Sequence, residues 1–183
     1  MMKVFDALYK IIEKFAILTN VFSAILIQTF IQIIQVMVMA PKMEQYASGS
    51  MLDLRIYYSG SDAMNYLKDL GLQGRNLYLI AEIIDLIYPF AYTAAFMLLL
   101  VYLGRYAFPS NQVKTRILVI PVALFCIDYM ENITIIINIL SFPAEHFFYL
   151  FSGYFTILKY IFLLINMGVL SFFALVALKR ELM

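Results

Sequence analysis

The 183 residues contain no tryptophan, one cysteine and one histidine, and only 14% of them are charged. A single Cys126 excludes an intrachain disulfide and any paired-cysteine or haem-attachment motif, and its apolar surroundings suit a thiol packed as a small hydrophobe. The lone His146, beside Glu145, leaves no second histidine for a zinc or di-iron centre and reads as a loop surface residue. Seven glycines form no phosphate-cradling loop, and a net charge of +1 without any basic run gives no hold on nucleic acid. What is present instead is 64% hydrophobic residues and a mean hydropathy of +0.87, far outside the range of soluble domains. The composition is that of an integral membrane protein.

Four apolar stretches are long enough to cross ~30 Å of hydrocarbon, near Phe15 to Met39, Tyr78 to Leu103, Val113 to Leu140 and Phe147 to Leu178. The expected fold is an all-α bundle of four transmembrane helices, one domain over residues 1–183. The first stretch is about twice the ~7–15 apolar residues of a signal peptide and carries Gln28, Gln32 and Gln35, so it is expected to remain attached. Ahead of it, Val4, Leu8, Ile11, Ile12 and Phe15 recur at helical spacing opposite Lys3, Asp6, Lys10 and Lys14. Residues 1–14 therefore suit either an interfacial helix on the membrane surface or the frayed start of the first span. Asn132-Ile133-Thr134 spells a glycosylation sequon, but its place inside a span deprives it of meaning.

Lysine and arginine set the orientation. Lys3, Lys10 and Lys14 precede the first span, Arg105, Lys114 and Arg116 flank the second loop, and Lys179 and Arg180 follow the fourth. These segments are expected in the cytoplasm, both termini included, with the first and third loops outside. The first loop, residues 41–74, is too long for a bare connector and is expected to form a small helical extracytoplasmic cap. Ser61 can cap a helix over Asp62 to Leu70, with Ala63, Met64, Leu67 and Leu70 on one face and Gly71 supplying the left-handed turn that ends it. A new helix then begins near Gln73, while LDLRIYY upstream suits a short extended segment.

Charge inside the spans is the most specific signal. In RNLYLIAEIIDLIYP and beyond, Arg75, Tyr78, Glu82, Asp85 and Tyr92 step by three, four, three and seven and share one helical face. The third span adds Asp128, Glu131, Asn132 and Asn138, the fourth Ser152, Thr156, Lys159 and Asn166, and the first its glutamines. Ionisable groups in a span face the bundle interior, and a rise of ~1.5 Å per residue puts Asp85, Asp128, Glu131 and Lys159 at similar depth. The expected ligand-binding constellation is Glu82, Asp85, Asp128, Glu131 and Lys159, with Arg75 at its rim and Tyr78, Tyr92, Asn132 and Gln32 as lining. Pro89 deprives the carbonyl of Asp85 of its helical donor and predicts a kink there. The pairs EIID and DYME could hold a divalent cation, but Lys159 already supplies positive charge, so neither metal nor cofactor is expected. Ser141 and Ser152 have no histidine within fixed reach, which leaves catalysis undecided.

The series LDLR, LGLQGRNLYL, DLIYPFAY and DYMEN, from Leu52 to Asn132, resembles a family of uncharacterised prokaryotic four-helix membrane proteins. The resemblance implies the fold and a prokaryotic cell membrane, and no activity. Four helices around buried acids are similar in architecture to the emopamil-binding and sigma-2 receptor-like proteins, whose tryptophan-lined motif this chain lacks. Three functions fit the residues: binding or modifying an amphipathic small molecule or lipid in a polar pocket, a noncatalytic assembly role with structural charges, or a proton- or ion-coupled carrier. Membrane lipids, a lipophilic small molecule and a second copy of the chain are the partners these functions imply.

Overall fold

A computed structural model describes residues 2–109, 116–144 and 147–181. The fold is an all-α membrane bundle, with no strand among the described residues. Helix α1 covers Met2–Phe15 and α2 Leu18–Ile34, which runs through a π-helical turn, Gln35–Met39, into α3, Ala40–Met43. After a 3-10 turn at Leu52–Leu54 come α4 (Gly60–Asp69), α5 (Gly71–Asp85), α6 (Tyr88–Ala107), α7 (Val119–Ser141) and α8 (Phe148–Glu181). Four segments have the length and hydropathy to cross a membrane: Leu18–Met43, Gly71–Ala107, Val119–Ser141 and Phe148–Arg180. Each overlaps one of the four apolar stretches of the sequence. Ser110, Lys114, Glu145 and His146 lie outside the described residues.

The chain divides into two compact units, to each of which all four spans contribute. The first comprises Met1–Gln28, Phe90–Phe125 and Ile161–Met183. Here α1 is a helix in its own right, ended at Ala16 and Ile17, and not a continuation of the first span. Its packed face is Phe5, Leu8, Tyr9 and Ile12, set against Met97, Val101 and Leu118, while Val4, Ile11 and Phe15 are exposed. The five apolar positions read from the spacing thus divide between two faces. Burial among these side chains pushes the Tyr9 hydroxyl up to about 12. The last carbonyls of α1, which have no donor within the helix, are met by Arg105 of α6, whose guanidinium donates to Ala16 O at 2.8 Å and to Glu13 O. Leu100, Leu170 and Phe173 form a second apolar centre in this unit.

The second unit comprises Thr29–Pro89 and Cys126–Tyr160. Its core gathers the first loop, with Met51, Leu52, Tyr58, Ala63, Tyr66 and Leu67 buried against Tyr78, Ala81, Ile135 and Tyr149. Helix α4 is capped by Ser59 and not by Ser61. The Ser59 hydroxyl accepts from Asp62 N at 3.2 Å and the Asp62 carboxylate accepts from Ser59 N at 2.8 Å, a reciprocal box that starts the helix two residues early. Those bonds hold the Asp62 carboxyl below the usual carboxylate range. The turn between α4 and α5 is made by Gly71 at φ +61°, as the sequence requires. Between α5 and α6 the helix is interrupted at Leu86 and Ile87, just ahead of Pro89. The segment LDLRIYY is not extended throughout, since Leu52–Leu54 form the 3-10 turn and the chain straightens only from Arg55.

Candidate functional site

The polar centre of the second unit is built on one face of α5, where Tyr78, Glu82 and Asp85 are all buried. Asp85 is held from two sides. Gln35, in the π-helical turn, donates from Nε2 to Asp85 Oδ1 at 2.9 Å, and Asn132 of α7 donates from Nδ2 to Asp85 Oδ2 at 2.8 Å. Two amide donors on one carboxylate are what a charge or a strong acceptor needs when water is excluded.

Lys159 of α8 organises the other side. Its ammonium lies 2.5 Å from Glu131 Oε2 and 3.5 Å from Asp128 Oδ1, and donates to the backbone oxygen of Asp53 at 3.2 Å. Glu131 also accepts from the Thr156 hydroxyl, one turn along α8 from Lys159. The first loop therefore contributes a group that helical spacing could not reveal. Asp53 sits in the 3-10 turn, its Oδ1 accepting from the Tyr78 hydroxyl at 3.2 Å, while that hydroxyl accepts from Leu52 N at 3.2 Å. Burial pushes the Asp53 carboxyl up, against the downward pull of Lys159. Farther along the loop, burial and then Glu131 push the Tyr58 hydroxyl up, and burial with Asp53 takes Tyr66 to about 12.

A glycine makes this seating possible. A Cβ on Gly153 would overlap the Tyr58 carbonyl oxygen, so the loop backbone lies directly on α8 where only hydrogen leaves room.

Glu82 is the exception among the carboxyls of this network. It is 1% exposed, and neither carboxyl oxygen has a hydrogen-bond partner among the described residues. Asp53, Asp85, Glu131 and Lys159 all lie within its electrostatic reach. Five carboxyl groups thus share one ammonium among the described residues, and a low-dielectric space cannot hold the four negative charges that would be left uncompensated.

The structure brings together seven residues expected from the sequence: Tyr78, Glu82, Asp85, Asp128, Glu131, Asn132 and Lys159. Three stand elsewhere. Arg75 donates to the Leu67 carbonyl at 2.9 Å and lies 4.2 Å over the Phe142 ring, so it ties down the end of α4. Gln32 is exposed, and Gln35 is the glutamine that reaches Asp85. Tyr92 belongs to the first unit, where it is buried edge-on to Phe96 at 5.9 Å. Thr156 and Asp53 are additions, and the sequence signal for Asp53 was an acid enclosed by leucines in an otherwise polar loop. A groove of about 760 Å³ is lined by Ser59, Ser61, Met64, Asn65, Phe147 and Leu150. Among the described residues no group of three or more His, Cys, Asp or Glu is arranged to hold a metal ion. No family model, curated protein or solved structure matches the chain.

Proposed function

We propose that the protein binds an amphipathic small molecule or lipid within the membrane, with its polar end at Glu82 beside the Lys159 pairs and its apolar tail between helices. The observation that carries this reading is the Glu82 carboxyl, buried and without a hydrogen-bond partner among the described residues, while the carboxyls of Asp53, Asp85, Asp128 and Glu131 are hydrogen-bonded or ion-paired. Leaving such a group unmatched costs about 1–3 kcal/mol or more, and a ligand head that donates to it removes the cost. The same reading places both termini in the cytoplasm and the first loop outside. Supporting this orientation, eight of the 13 basic residues fall in the first unit, with only Asp6, Glu13 and Glu181 as its acids.

Protein extracted in mild detergent and examined by native mass spectrometry should carry a bound small molecule. Glu82→Gln should release it while leaving the thermal midpoint within a few degrees. A wild type with no adduct under gentle extraction, or an adduct that Glu82→Gln retains at full occupancy, would overturn the proposal.

A second reading also has an observation in its favour. The three partners of Lys159 and the two amide donors on Asp85 fit a network that fixes how the helices pair.

A further inference from the structure

We infer that α1 is a seat for anionic phospholipid, recognised by a row of lysines beside an apolar stripe. The helix presents three faces. At about 100° per residue, Phe5, Leu8, Tyr9 and Ile12 form the face packed on Met97, Val101 and Leu118. Val4, Ile11 and Phe15 form a second, 68%, 55% and 57% exposed. Lys3, Lys10 and Lys14, all exposed, lie within roughly 40° of one another about a quarter turn from that stripe. No acid interrupts the lysine row. Asp6 and Glu13, the two acids of α1, are half-buried on its far side, toward the packed face.

Two observations choose lipid over a protein partner. After the break at Ala16 and Ile17 the chain enters α2, which also exposes apolar side chains, Leu18, Phe22 and Leu26, in a segment whose length and hydropathy suit a membrane span. The apolar stripe of α1 thus lies two residues in sequence from the exposed start of a span, and the solvent of a span is acyl chain. Lysines beside such a surface extend their stems along it and place ammonium groups at headgroup level, where phosphate is the complementary charge. The seat is also preformed. Arg105 closes the end of the helix on Glu13 O and Ala16 O, and the packed face fixes its rotation, so binding orders little that is not already ordered.

The test uses full-length protein, delipidated in detergent and incubated with equal amounts of phosphatidylglycerol and phosphatidylcholine, with bound lipid read by native mass spectrometry. Wild type should retain phosphatidylglycerol several-fold over phosphatidylcholine. Replacing Lys3, Lys10 and Lys14 together by Gln should bring the two near parity at an unchanged thermal midpoint, because the attraction of lysine for an anionic surface is the part removed. Millimolar inorganic phosphate should not displace the lipid, because the stripe contributes through acyl chains. Ile11→Ser, which keeps every charge, should weaken both lipids. Equal retention of the two lipids by wild type, full phosphatidylglycerol preference in the triple variant, displacement by free phosphate, or a dimer mass lost on lysine replacement would each overturn the inference.

Discussion

Lys159 and Glu82 divide the carboxylate cluster between them, one holding it together and the other left open. Lys159→Met strands Glu131 and Asp128 beside no cation and should lower stability by ~3–5 kcal/mol in reversible detergent unfolding. Adding Glu131→Gln should restore much of that loss, since the pair at 2.5 Å is then removed whole. No recovery in the double variant would mean that Lys159 acts through partners other than Glu131. The acids of α5 and α7 were legible in the sequence because helical spacing fixes the face on which a residue lies. The choice of glutamine was not, because Gln28, Gln32 and Gln35 share one stripe and periodicity is silent about which meets Asp85 in depth. Asp53 was hidden for a related reason, since a loop has no period from which to infer burial.

Helix α4 shows how a local signal sets an element's boundary. The spacing Ser59-x-x-Asp62 was present in the sequence beside the competing Ser61, and the reciprocal box decides for Ser59. Ser59→Ala should cost about 1 kcal/mol, read as faster amide exchange over residues 60–69. The acid partner gives this element a pH dependence. Because the folded Asp62 carboxyl lies below its unfolded value of about 3.9, its contribution is complete above that value and disappears as pH falls through the depressed one. Amide protection of α4 should therefore be level from pH 7 to 5 and fall below about 4, and Asp62→Asn should flatten that fall. A profile that declines equally in the variant would assign the acid sensitivity to another group. Helix α1 was legible as an element but not in its facing, because one apolar stripe serves packing and exposure together and only the neighbours Met97, Val101 and Leu118 divide it.

For the whole chain, the number of spans and the helical class follow from hydropathy and length alone, because a polar backbone in lipid has to satisfy its own hydrogen bonds. Sidedness rests on charge: a reporter fused after Ser110 should read cytoplasmic and one inserted after Ser48 external. The reverse pattern would invert the proposed orientation of both units. The carboxylate cluster also carries a consequence for synthesis. Asp53, Glu82, Asp85, Asp128 and Glu131 all precede Lys159 in the chain, and the glycine that admits the Tyr58 backbone lies six residues before it in the last of the four spans. A ribosome thus delivers every acid before the sole ammonium that matches them. Until that span enters the membrane, the nascent chain holds an unmatched set of acids and a loop without the glycine surface on which it lies.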